Sequence, residues 1–376
     1  MKPDEVRAVG RLGAQTFAEA VTHVERVHGA ISTRAFRPTS LVGAPARITH
    51  DAIAKVVYAC VRGAGKGVGL AASEVGAFLP TTGGTTSPRA STAQSILNAA
   101  IGDKLAATGD PLAIRMTIRV DGDATPALAV FLHGLAENDD SWGHRFGAHL
   151  RADFGFTPVY ARYNTGRHIS DNGRDLARFL ADVVSSWPVP IERIVLIGHS
   201  MGGLVARSAC HYGTGPWTDL VTDVFYLGSP HTGASLERVV SKLGWALGHL
   251  AETRPYADLV NVRSAGIKDL RYGYVIEEDW KGCNADRCLD DHRHQVDLLP
   301  HADHYVVSAA LSKDEGSPAA RLFGDLLVQP ASARANLPVD HVRHLGGLNH
   351  FDLLNHPRVY EAMRSWLERS AARPRP

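Results

Sequence analysis

Five contiguous residues carry the clearest chemistry in this chain. Gly198-His199-Ser200-Met201-Gly202 forms a G-x-S-x-G pattern directly after the apolar run Ile191–Ile197 and directly before a helical stretch. A chain that reverses this sharply from strand to helix strains the serine backbone. It also stands the hydroxyl at a helix N-terminus, where N–H groups and the helix dipole favour developing negative charge. A side chain at Gly198 or Gly202 is expected to collide with the adjoining strand or helix. An inert serine in a tight turn is the alternative reading, and the strand-then-helix context argues against it.

A serine hydroxyl is a weak nucleophile near neutral pH, so it needs a base in contact and a third group to orient that base. In a strand–turn–helix elbow of this kind the chain order is serine, acid, histidine. After the last expected strand, four histidines compete: His341, His344, His350 and His356. The first two lie on or beside the strand, and His356 precedes Pro357. His350 follows Gly346-Gly347, which let the loop bend back over the sheet edge, and it is the candidate base. Asp314, Asp325 and Asp340 are candidate acids, and Asp325 is preferred because the turn and apolar patch Phe323–Val328 can hold it partly buried. Two backbone N–H groups must receive the oxyanion. Met201 follows the nucleophile, and Leu135 follows Gly134 in the loop after the strand Ala127–Leu132. His133 reads as a brace for that loop.

These residues need a sheet to hold them. The chain has 376 residues, with 44% apolar and 21% charged, values of an ordinary globular protein. From about residue 112 strands and helices alternate. Strands are expected at Ile114–Val120, Ala127–Leu132, Thr157–Tyr163, Ile191–Ile197, Asp223–Leu227, His304–Leu311 and His341–Leu345. Helices are expected at Trp142–Phe154, Ser170–Trp187, Met201–Tyr212 and Arg358–Ser370. Repeated βα units imply an open, mostly parallel sheet flanked by helices. Residues 1–110 read as a helical extension without evident chemistry, its third helix at Ser91–Ala107, and residues 111–376 as the α/β domain. The insertion from about 232 to 300 reads as a cap. Its stripe Leu236, Val239, Val240, Leu243, Leu247 and Leu250 either faces the core or opens to an acyl chain.

The strand plus His133-Gly134-Leu135, the Gly-His-Ser-Met-Gly-Gly elbow and Leu227-Gly-Ser-Pro-His-Thr-Gly233 together resemble the α/β-hydrolase superfamily. Within it the chain looks like bacterial triacylglycerol lipases and GPI-inositol-deacylase-like esterases. Gly324-Asp-Leu-Leu-Val is similar to the segment that holds the family's acid, and Leu348-Asn-His-Phe-Asp-Leu to the one that holds its histidine. The resemblance spans about residues 112–370 and implies the α/β-hydrolase fold with Ser200, Asp325 and His350 as catalytic residues. No calcium-site signature is present, so no metal and no cofactor are expected.

The expected function is therefore a serine carboxylic-ester hydrolase, esterase or lipase, acting on a small-molecule ester or lipid. The same triad also serves acyltransferases, thioesterases and amidases. A third alternative is a protein that docks on lipid or a partner, with residues 1–110 supplying a peripheral contact. The net charge of +1 gives no case for nucleic acid. No signal peptide and no run of 18 apolar residues is seen, so a soluble, cytoplasmic protein without a transmembrane segment is expected. Cys283 and Cys288 read as loop thiols or a short disulfide, and His292 and His294 as loop surface rather than metal ligands.

Overall fold

The computed structural model describes residues 88–233, 264–282, 291–310 and 338–372, with scattered helical positions between 8 and 55. Chain contacts divide it into two units. One comprises Met1–Pro88, Thr108–Leu112 and Val240–Val262; the other comprises Arg89–Ala107, Ala113–Val239 and Arg263–Pro376. In the first, the scattered positions and the turn at Thr108–Leu112 are described. The second holds the sheet.

Seven strands lie in the order β1-β3-β2-β4-β5-β6-β7. They are β1 (Thr117–Val120), β2 (Ala127–Leu132), β3 (Thr157–Arg162), β4 (Arg193–His199), β5 (Val221–Leu227), β6 (Asp303–Ala310) and β7 (Val342–Gly346). β1 runs antiparallel to β3, and every other pairing is parallel. β1 is shorter than the expected Ile114–Val120. The Ile114 N–H is taken by the Asn98 side chain at 2.9 Å instead of entering the ladder, and pairing starts at Thr117 opposite Arg162.

Strands covered on both faces need apolar residues at every position, and β2 shows how they divide. Leu128, Val130 and Leu132 face a core completed by α3 (Ile169–Ser186) and α4 (Met201–Tyr212), through Leu176, Leu180, Leu204 and Val205. Ala129 and Phe131 face the other core, completed by α2 (Arg145–Phe154) and α7 (Pro357–Ala371), through Phe146, Leu150, Met363 and Trp366. α7 starts at Pro357, whose missing N–H costs nothing at the first helical position, and the His356 ring caps it by accepting from the Arg358 N–H at 3.2 Å. α1 (Pro88–Ala107) bends at Ile101; it covers the third helix expected from the sequence. Two single-turn helices escape the sequence pattern, α5 (Pro216–Asp219) and α6 (Ala265–Asp269), because one turn is too short to show periodicity.

Candidate active site

The site follows from strand order. The chain passes from β2 outward to β3, then returns across β2 to continue with β4. Loops leaving β2 and β4 at their carboxyl ends therefore part in opposite directions and leave a crevice, the usual ligand position in an open α/β sheet. Leu132 and Gly198 are level at that edge, as are His199 and Leu227.

Ser200 sits on the turn from β4 into α4 with φ 52° and ψ −119°. A non-glycine residue held there costs about 1–3 kcal/mol. Packing enforces it: a Cβ on Gly198 would come within 2.4 Å of the Gly203 nitrogen, and one on Gly202 within 2.1 Å of the Leu132 carbonyl oxygen. The Ser200 N–H donates to the Leu227 carbonyl at 2.8 Å, fastening the elbow to β5.

The loop after β2 is a tight turn. The Glu137 N–H donates to the Gly134 carbonyl at 3.3 Å, and Ala136 takes a left-handed φ of 62°. A Cβ on Gly134 would lie 3.1 Å from the Ser200 Cβ, so the backbone comes directly against the serine. Among the described residues, nothing accepts a hydrogen bond from the Leu135 or Met201 N–H. His133 braces the turn from behind. Its Nδ1 bonds the Gly134 carbonyl at 2.9 Å, its Nε2 accepts from the Tyr163 N–H at 3.3 Å, and its ring stacks on Tyr163. Burial pushes this imidazole below its ordinary range, in keeping with a neutral ring.

His350 opens a short 3-10 turn, His350–Leu354, after β7, and is buried. Its ring centroid lies 4.7 Å from that of His199, the residue before the serine. Gly228, at φ +63°, makes room for it: a Cβ there would come 3.0 Å from the His350 Cε1. The competing histidines are engaged elsewhere. His341 Nδ1 bonds the His304 carbonyl at 2.9 Å, His344 Nδ1 bonds Ser308 Oγ at 2.8 Å, and His356 caps α7. Asp340 is exposed and its carbonyl accepts from Trp366. Asp325 and Asp314 lie outside the described residues, as do Cys283, Cys288 and the stripe Leu236–Leu250.

One buried pair was not legible as a site. Glu137 Oε2 accepts from the Gly134 N–H at 2.6 Å and meets His199 Nδ1 at 3.0 Å, while His199 Nε2 meets the His350 carbonyl at 3.1 Å. Burial alone would raise the Glu137 carboxyl, but the charge and hydrogen bond of His199 outweigh it and hold it down to about 2. The acidic type of residue 137, four positions past the loop histidine, is its only trace in the sequence.

Other polar groups brace loops. Asn164 accepts from the Gly166 N–H at 3.0 Å and donates to the Gly102 carbonyl at 2.8 Å, and Arg167 pairs with Asp175. His231 is buried against Arg207, and burial together with that guanidinium keeps its ring well below the ordinary range. His294 bonds Asp279 through its N–H at 2.7 Å and its Nδ1 at 3.1 Å. Among the described residues no group of three or more His, Cys, Asp or Glu side chains could hold a metal, and no helix is long and apolar enough to cross a membrane.

A mostly parallel sheet between two helical layers, with an antiparallel first strand and a serine elbow after β4, is the α/β-hydrolase fold. Residues 162–294 match the family model of the PGAP1-like alpha/beta domain. Among solved structures, the chain is similar to the mature lipase BlEst2 of Bacillus licheniformis, at 18% identity and TM-score 0.47 over 67% of this chain and 98% of that one. It is also similar to a lipase-esterase related protein from Clostridium acetobutylicum, at 12% identity and TM-score 0.41 over 67% and 99%. No curated protein matches the chain.

Proposed function

We propose that this protein is a serine carboxylic-ester hydrolase, an esterase or lipase working through an acyl-enzyme on Ser200. The observation that carries the reading is Ser200 itself: a non-glycine residue at φ 52° on a strand-to-helix turn, with its neighbour's ring 4.7 Å from that of His350. Strain of this kind persists only where packing enforces it, and here two glycine contacts do so.

In the proposed reaction Ser200 Oγ attacks the acyl carbonyl and its proton passes to the His350 imidazole. The oxyanion is received by the Leu135 and Met201 N–H groups, each worth on the order of 3 kcal/mol in the transition state. His350 then protonates the leaving alcohol. Water, deprotonated by the same ring, attacks the acyl-enzyme and releases the acid. Asp325 is assigned to hold the imidazole in the tautomer that leaves a ring nitrogen free to accept the proton. The chemistry calls for no cofactor.

Ser200→Ala is expected to abolish hydrolysis of p-nitrophenyl esters and labelling by a fluorophosphonate probe, with an unchanged circular-dichroism spectrum. Turnover that survives in Ser200→Ala, or a probe that labels elsewhere, overturns the reading. Asp325→Asn is expected to lower kcat by about 10⁴-fold, the scale seen when a triad carboxylate is made neutral.

A further inference from the structure

Glu137 and His199 touch the oxyanion turn and the His350 backbone, and His199 adjoins Ser200 in the chain. Three segments far apart in sequence meet on this pair: the turn that presents Gly134 and Leu135, the elbow that presents Ser200, and the loop that carries His350. The His199 ring is fully buried and the Glu137 side chain 10% exposed. The Trp142 ring closes on His199 edge-on at 6.3 Å.

The protons follow from the partners. A carbonyl oxygen only accepts, so His199 Nε2 must donate to His350. Glu137 Oε2 accepts from the Gly134 N–H at 2.6 Å and faces Nδ1 at 3.0 Å, and a carboxylate oxygen only accepts, so Nδ1 donates as well. The ring is an imidazolium paired with a carboxylate. Burying two charges is costly, and apolar side chains of like volume fill such space without that cost. What the ions add is direction. One carboxylate oxygen fixes the Gly134–Leu135 backbone, and one imidazolium N–H fixes the backbone of the base.

We propose that Glu137 and His199 are positioning residues, an ion pair that holds the oxyanion-binding turn and the His350 backbone in register with Ser200. The inference rests on the ester-hydrolase reading above. Neither side chain needs to contact substrate, because each acts through backbone groups that do or that carry the base.

The test uses the full chain with p-nitrophenyl butyrate and an alkyl boronic acid, which adds to a serine hydroxyl and mimics the tetrahedral oxyanion. Glu137→Ala is expected to lower kcat about 100-fold with KM within about 3-fold, and to weaken boronate binding about 100-fold, the scale of a lost oxyanion donor. Both contacts fall on Glu137 Oε2, so in Glu137→Gln the atom there either accepts from the Gly134 N–H beside a ring without its counter-charge or turns an NH2 against that N–H, and kcat is expected to stay at least about 10-fold below the wild type. A merely structural role would lower Tm and the titratable fraction of active sites while leaving kcat per site and boronate affinity unchanged; that result overturns the proposal. Should Glu137→Ala not fold, Glu137→Asp, one methylene short of its partners, is expected to lose kcat about 10-fold through misplacement of the oxyanion turn, and wild-type kcat in that variant overturns it. The two readings fail separately. Absence of Ser200-dependent turnover in the wild type defeats the hydrolase reading and the inference built on it. Ser200-dependent turnover with undiminished kcat per site in folded Glu137 variants defeats the positioning role alone.

Discussion

At Glu137 two effects oppose each other. Burial disfavours the ionised carboxyl, and the His199 charge and hydrogen bond favour it and win, so its pKa falls to about 2. The folded value lies below the unfolded one, near 4.3. The stability it contributes is therefore complete above about pH 4.5 and is lost as pH falls toward 2. At 1.36 kcal/mol per unit, the shift is worth roughly 3 kcal/mol. In the folded protein, the carboxyl carbon resonance assigned by its loss in Glu137→Gln is expected to titrate near pH 2, measured by carbon-13 NMR. A midpoint above 4 would contradict the buried ion pair. Ser200 and its glycines are legible in the sequence because they stand side by side between an apolar run and a helical stretch, although Leu132 of β2 and Leu227 of β5 help to hold the turn. The Glu137–His199 pair is not, since its members stand 62 positions apart and meet only when β2 and β4 pair.

Elements act on the site through backbone spacing, and Gly228 shows it. The loop leaving β5 is tied to β6 by the Gly228 N–H to the Val307 carbonyl at 2.8 Å, while the loop leaving β7 presses His350 and Leu353 against the same glycine. Its φ is +63°, and an added Cβ would meet Leu353 Cδ1 at 2.7 Å and His350 Cε1 at 3.0 Å. Gly228→Ala therefore combines backbone strain with displacement of the imidazole. Gly155, which ends α2 at φ +73° with nothing within 4 Å of its would-be Cβ, combines strain with open space. Both variants are expected to lose about 1–2 kcal/mol of stability from the left-handed backbone. Only Gly228→Ala is expected to lower kcat as well, by about 10-fold or more, because small misplacements of a reacting group are costly. Equal kcat in the two variants, measured on p-nitrophenyl butyrate, would remove His350 from the chemistry. The strands themselves are legible as unbroken apolar runs. β1 is not fully so, because the side chain that ends its ladder belongs to Asn98, outside the strand.

At the scale of the molecule, the segment 264–282 is bonded to the body at several points. Ser264 Oγ donates to the Ala99 carbonyl, the Ala265 N–H to Asp103 at 3.0 Å and the Gly266 N–H to the Gly166 carbonyl at 3.0 Å. Asp269 adds a further buried anchor. Asp269, 2% exposed, accepts from the Ile169 N–H at 2.8 Å and meets His168 Nδ1 at 3.0 Å, and the His168 ring stacks on Trp280 at 3.7 Å. Burial would lower the His168 pKa, but the Asp269 carboxylate outweighs it and raises it. None of this shows in the sequence, where Asp269 lies 101 positions from His168 in a region whose composition reads only as an insertion. Asp269→Ala leaves a helix N-terminal N–H and a half-buried imidazole unpaired together. Breaking a buried pair from one side costs about 3 kcal/mol or more. Because the bonds of Asp269 run between 264–282 and the start of α3, the loss is expected to be local. Amide hydrogen exchange should quicken about 100-fold in 264–282 and in the first turn of α3, while β4 and β5 keep their protection. Uniform loss across the sheet would show that Asp269 supports the core rather than fastening the returning segment. Unchanged exchange would show that the other bonds hold the segment without it.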